Sequence, residues 1–441
     1  MDSAQTPYLR LLAAGSNARG QLANGSDDDS HIFKNCRFIN CTEGTLPPHT
    51  FGILQLATGA NHTLALLDFG GGRRELWGCG DGRKGQLGPE YMGQLTEFTP
   101  ISMPLYKTYA AQGYTCCLVA AAWETSYLVL KSPSRPDVVI SMGSNDFGAL
   151  GVGTKQATAT PAVVSFDHLT IEGRSIYPNE LVVESVVAGP RHVVLHVRTV
   201  LNDEHMLIGW GLARHGQLGD TKIVNHDRPH IISLDVSPDP AQTCSLGLQH
   251  TVVCHQSGRT TVFGSNKKGQ LHGMNSWGRV RQVGCTWNGT YLLRDDDEDT
   301  LISIGSNSHG QLGRESQVEE NGVTVGPVEF TLSHDGKSPP LRSFACGSEH
   351  VIAVISPSGS SDMEVWGWGW NEHGNLGLDH TDDVPKPIKI WPAKGHVLDG
   401  RIAGVWAGNG TSWILLETAM LKRDVCHDKA GPRLGTPVWS Q

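Results

Sequence analysis

Gly305-Ser-Asn-Ser-His-Gly-Gln-Leu-Gly313 is one of seven near-copies of a single nine-residue string. The others start at Gly15 (GSNARGQLA), Gly80 (GDGRKGQLG), Gly143 (GSNDFGALG), Gly211 (GLARHGQLG), Gly264 (GSNKKGQLH) and Gly369 (GWNEHGNLG). Each follows the end of an apolar strand and carries two glycines five positions apart, which lets the backbone turn sharply where a side chain would collide. A second motif alternates with the first: a small residue, Gly, two spacers, His or a substitute, then an apolar strand. It is read at Gly59, Gly113, Gly189, Gly247, Thr286, Gly347 and Gly408. The fifth copy has Thr286 for the Gly and Gly289 in the His slot, and the seventh has Thr411 in the His slot.

First-motif glycines are separated by 65, 63, 68, 53, 41 and 64 residues, so a unit of about 63 repeated seven times accounts for all 441. Four short strands with their turns need roughly 40 to 60 residues, which is one propeller blade. The chain opens on a first-motif strand (Leu11 to Ala14) and its last strand follows a second motif (Ser412 to Glu417), so neither end holds a whole unit. Completing one blade from both ends hides both edges. The expected architecture is therefore all-β: a seven-bladed β-propeller over residues 1–419, closed by pairing of its first and last strands, with a tail at 420–441.

Composition agrees with this. Glycine is abundant at 53 residues and charged residues make up only 18%, as tight turns between short strands require. The net charge is −9 and the basic residues occur as isolated pairs, so no direct nucleic-acid partner is expected. No apolar run approaches the roughly 18 residues of a membrane helix. The segment from Met1 lacks the basic start and full apolar core of a secretory signal. None of the ten cysteines forms a C-x-x-C pair. They read as reduced and buried, with a cytoplasmic and nuclear location and no metal.

Several motifs have a plain structural reading. Gly80-Asp-Gly-Arg-Lys-Gly85 matches a dinucleotide fingerprint, but Gln86-Leu87-Gly88-Pro89 follows instead of a helix, so no cofactor is expected. His62, His192, His250 and His350 fall in different units and cannot converge on a metal. Hydrogen bonding within each blade is expected of them. The acidic run Asp27 to Asp29 lacks the pattern of a calcium loop. The run Asp295 to Asp299 falls between Leu293 and Leu301, where a hairpin turn belongs. No catalytic constellation is found.

Two sets of residues point to a docking surface. His215, His309 and His373 occupy one slot of the first motif, on an expected surface loop. Trp366, Trp368 and Trp370 alternate along a strand-like segment, so period two places them on one face. Trp210 is equivalent to Trp368, and Trp287 lies in a second-motif turn. Tryptophan concentrates binding energy at interfaces. The expected partner-binding residues are Trp210, His215, Trp287, His309, Trp368, Trp370, Glu372 and His373, with no catalytic residues.

The paired strings G-x-N-x-x-G-Q-L-G and G-x-x-H-T resemble the regulator-of-chromosome-condensation family over essentially the whole chain. The founding member of that family promotes nucleotide exchange on the small GTPase Ran and docks on chromatin. This chain lacks a basic arm before the ring, is acidic, and has a short repeat between Gly264 and Gly305. Trp366-Gly-Trp-Gly-Trp-Asn-Glu-His-Gly-Asn375 looks more like the fungal alpha-tubulin-suppressor, or killer-toxin-insensitivity, branch. That resemblance implies a non-catalytic ring in a heterodimer with a small zinc- or iron-binding electron carrier. The pair would support diphthamide synthesis and Elongator-dependent modification of tRNA wobble uridine. The alternative implied is a guanine-nucleotide exchange factor for a Ran-like GTPase, with Thr154 to Glu184 or Glu315 to Ser338 housing an inserted wedge.

Overall fold

The computed structural model describes residues 8–418 apart from 155–157, 172, 178–179, 234–235, 237, 274–276, 296–299, 316–324, 332–338, 358–361 and 394–399. The tail expected at 420–441 and Asp296 to Asp299 lie outside the described residues. The strands form seven antiparallel blades arranged in a ring. Blade 1 is Gly52–Thr58, His62–Asp68, Arg74–Asp81 and Gln94–Pro100, hydrogen-bonded in chain order. Blades 2, 3, 5 and 6 repeat that meander from Thr115–Ala121, Leu181–Ala188, Val280–Cys285 and Leu341–Cys346 respectively. Blade 4 has three described strands, beginning at Ala241–Leu246.

Blade 7 closes the ring as expected. Its order is Ser30–Asn35, Tyr8–Gly15, Thr411–Thr418, Arg401–Ala407, with Tyr8 opposite Thr418 and Gly15 opposite Thr411. The second strand of each blade is buried along nearly its whole length, as in His350–Ile355. Both of its faces meet neighbouring blades, which is why it reads as an unbroken apolar run rather than an alternating one.

In a four-stranded meander the first and third connections fall on the same rim, so both motifs lie on one face of the ring. They are joined there. The residue after each first-motif Gly donates its N–H to a carbonyl in the same blade's second-motif turn, as Ser144 does to Glu124 at 2.8 Å and Trp370 to Glu349 at 2.9 Å. Gly143 has φ +112, and a Cβ there would lie 2.3 Å from the Glu124 carbonyl oxygen, so only glycine permits the junction. The motif Asn then closes its loop: Asn17, Asn145, Asn266, Asn307 and Asn371 each accept, through Oδ1, the N–H of the motif Leu. Those leucines are buried.

One repeat was misplaced in the sequence. The second motif of blade 2 is not at Gly113, which precedes the innermost strand, but at Ala122-Trp-Glu-Thr125, the turn between Thr115–Ala121 and Thr125–Ser132. Ala122 stands in the glycine position and Thr125 in the histidine position.

The buried histidines work between blades, not within them. The Nε2 atoms of His62, His192, His250 and His350 bond to Ser126, Thr251, Thr290 and Ser412 of the following blade at 2.9 to 3.1 Å. Ser126 and Thr251 pass the bond on, donating to the Gln86 and Gln217 carbonyls of the histidine's own blade. Burial depresses these imidazoles to about 4 for His62, His250 and His350 and about 3 for His192.

At two of the three seams without the histidine, a second device takes over. Blades 2 and 5 have Thr125 and Gly289 in its slot, and the next blades place Val193 and Val351 where the hydroxyl would be. Opposite those valines stand Trp210 and Trp368. Their indoles donate across the seam to Ala149 O at 2.8 Å and Gln311 O at 2.9 Å. Tyr127 and Tyr291 donate to the same two oxygens.

Candidate functional site

Gly369, at φ +97, ends its strand and turns the chain out of the blade. Trp366 and Trp368 share a face and both pack on Phe330. Trp370 emerges onto the rim instead. Its ring stands edge-on between His373 (5.2 Å) and His309 (6.3 Å), and its Nε1 donates to Glu372 Oε2 at 3.2 Å. His309 pairs with Asp383 at 2.9 Å and His373 with Asp29 at 2.7 Å, each reaching the next blade. The second oxygens of Asp383 and Asp29 accept the Asn371 and Asn17 backbone N–H groups. Two aspartates thus fix both flanking histidines and their own loops.

Electrostatics follow the geometry. The Asp29 hydrogen bond raises the His373 imidazole above its ordinary value, outweighing partial burial. Burial pulls Asp29 upward, but bonds from His373 and the Asn17 N–H overcome it and hold the carboxyl low.

The remaining expected residues lie elsewhere. Trp210 and Trp368 are fully buried seam residues with 0% exposure, which corrects their expected place on a docking surface. His215 is half-buried in blade 3, lowered by desolvation and by Lys267 and Arg214, and lies away from the Trp370 group. Trp287 sits at the mouth of the central channel, with Nε1 donating to Asn409 across the ring at 3.3 Å. Its backbone belongs to a belt of bonds around that mouth: Leu248 N–H to Trp287 O, Trp287 N–H to Ser348 O, Ser348 N–H to Gly408 O.

Sequence reasoning passed over Trp123, which is 41% exposed and lies 6.0 Å from the Trp287 ring. It occupies the blade 2 turn that was misplaced. Among the described residues no group of three His, Cys, Asp or Glu side chains could hold a metal ion. Burial pushes the Cys36, Cys79, Cys116, Cys244, Cys285 and Cys346 thiols up, away from the nucleophilic thiolate.

The model for the regulator of chromosome condensation (RCC1) repeat matches residues 298–354 and 363–415, which cover blade 6 and its flanks. Fold, motifs and match agree. This chain is an RCC1-like propeller. An RCC1 repeat-containing protein of Schizosaccharomyces pombe is 27% identical over 412 residues, 92% of this chain and 99% of that protein. The secretion-regulating guanine nucleotide exchange factor of Bos taurus is 27% identical over 407 residues, 86% of this chain and 78% of its own. In fold, the RCC1-like ring overlays the crystal structure of Prp20p from Saccharomyces cerevisiae, which was described with that protein's binding to Gsp1p and histones. The TM-score is 0.69 at 19% identity, over 94% of this chain and 92% of that one.

Proposed function

We propose that this RCC1-like propeller acts by binding a protein partner on its loop face, without catalysis of its own. The observation that carries this is Trp370. Two tryptophans of equivalent strands are consumed by the blade seams, whereas Trp370 has no seam bond and stands on the rim between two histidines anchored by aspartates. A rigid aromatic ring among charged groups is how a binding hot spot is built.

The partner we assign is a small zinc- or iron-binding electron carrier, in a heterodimer serving diphthamide synthesis and Elongator-dependent wobble-uridine modification. The resemblance of Trp366 to Asn375 to the alpha-tubulin-suppressor branch supports it, and the location that goes with this reading is cytoplasmic and nuclear. The full chain should co-purify with a small four-cysteine metal protein. Replacing His309, Trp370, Glu372 and His373 by alanine should weaken the pair at least about tenfold. Unchanged binding rejects the site.

The 27% likeness to a guanine nucleotide exchange factor favours a second reading, exchange on a Ran-like GTPase. Of the two stretches considered for a wedge, 315–338 lies largely outside the described residues. The described residues of the other include a short strand pair, Thr170–Ile171 with Arg174–Ser175. It lies in the connection between blades 2 and 3, on the rim opposite Trp370. Acceleration of labelled-nucleotide release from Ran distinguishes this reading from the first.

A further inference from the structure

Between the loops of blades 2 and 3, beside the channel mouth, lies a cleft of about 290 Å³ walled by Trp123, Phe147, Pro190 and Arg191, with Glu124 and Asp146 also lining it. Phe147 fills the slot that holds Arg19, Lys84, His215, Lys268, His309 and His373 in the other six loops. It is the one apolar residue there. Its backbone sits at φ 60, ψ 18, a left-handed conformation that a bulky side chain disfavours. Its ring is 38% exposed and takes part in no seam bond. Both strain and exposure work against stability, the pattern expected of a residue kept for contact.

The charges around it have a direction. The Arg191 guanidinium lies 5.1 Å over the Phe147 ring and makes no ion pair among the described residues. Lys84, Arg214, Lys267 and Lys268 stand exposed on the loops of the neighbouring blades, in a protein whose net charge is −9. This sector is basic, whereas the Trp370 sector is ringed by Asp29, Glu372 and Asp383.

We propose that the cleft is a subsite for an acidic protein segment bearing one bulky apolar side chain. That side chain enters between Trp123 and Phe147, and an adjacent carboxylate pairs with Arg191. The inference rests on the reading of the loop face as a protein-docking surface. Glu124 and Asp146 set the register, because the incoming carboxylate must point to Arg191 and away from them. A peptide with a single apolar–acidic pair can meet that condition. A uniformly charged phosphodiester chain cannot.

The test is fluorescence anisotropy with the full chain and a short labelled peptide in which one Phe is flanked by Glu and Asp. Its comparators are the Gln/Asn analogue, the Phe-to-Ala analogue and a single-stranded RNA of similar length. The acidic peptide should bind at least about tenfold more tightly than each peptide analogue, and Arg191→Glu or Phe147→Gly should each remove about that factor. Phe147→Gly should also raise the melting temperature, because glycine relieves the left-handed backbone, so lost binding with gained stability excludes misfolding. Equal binding of acidic and neutral peptides, wild-type binding by either variant, or tighter binding of the RNA through these residues overturns the proposal. The variant with alanine at His309, Trp370, Glu372 and His373 should bind the peptide as wild type does. If the peptide binds and the metal protein does not, the partner assignment alone falls; if the reverse, this subsite alone falls.

Discussion

Lowering the pH from 7 to 5 should loosen the ring at four seams together. His62, His250 and His350 are held at about 4 and His192 at about 3, against about 6.5 for an unfolded chain. A depressed folded value means that, between about pH 4 and 6.5, the unfolded state binds the proton and the folded state does not. Stability is therefore fully present above 6.5 and lost as the pH falls. At pH 5 each histidine lies about 1.5 pH units below the unfolded value, a loss of about 2 kcal/mol. Four such groups give about 8 kcal/mol, comparable with the whole stability of many domains. With an unfolding entropy of about 0.9 kcal/mol/K for a chain this long, the melting temperature should drop by about 9 °C. Thermal melts at constant ionic strength across pH 7.5 to 5 measure it. His192→Gln should lower stability at pH 7 but flatten the pH dependence by about a quarter. A melting temperature independent of pH over that range, or an unchanged slope in the variant, would refute the assignment of these imidazoles as neutral latches.

Other outcomes follow from the same contacts. Trp210→Phe and Trp368→Phe should each cost about 2 to 3 kcal/mol, from a lost seam bond and lost packing, while Trp370→Phe should cost under about 1 kcal/mol; denaturant titration separates them. Gly143→Ala forces a Cβ to within 2.3 Å of the Glu124 carbonyl oxygen at φ +112 and should destabilise by about 3 kcal/mol or more, seen as loss of soluble protein. Under native conditions at pH 8, buried Cys79, Cys116 and Cys285 should resist iodoacetamide longer than half-exposed Cys41, as mass spectrometry of the labelled protein checks.

The repeat made the ring and its closure legible in the chain itself, because each leading first-motif glycine answers a backbone demand that only glycine meets. The errors have equally specific causes. Gly113 was mistaken for a turn glycine because the real turn of blade 2 has lost both of its marker residues. Spacing held the answer: Thr125 precedes Gly143 by 18 residues, as His62 precedes Gly80. Period-two reasoning grouped Trp366, Trp368 and Trp370, and it holds for the first two. It fails at Trp370 because the strand ends at Gly369, whose left-handed backbone turns the chain out of the blade. The exchange of a His–hydroxyl seam for a Val–Trp seam was also written in the chain, since the empty His slots of blades 2 and 5 coincide with valine in the next blade, whereas the Thr411 slot of blade 7 meets Thr63. It could be recognised only once the blades were known to be neighbours in that order. Phe147 carried one legible sign, an apolar residue in a slot otherwise basic.

The eight-residue pairing of Tyr8–Gly15 with Thr411–Thr418 has a consequence for biosynthesis. At bacterial-to-eukaryotic elongation rates of about 5 to 20 residues per second, the earlier strand leaves the ribosome about 20 to 80 seconds before its mate. Throughout that interval it is an unpaired apolar edge, open to wrong partners. Folding in the cell should therefore depend on something shielding the nascent chain until translation delivers the last strand.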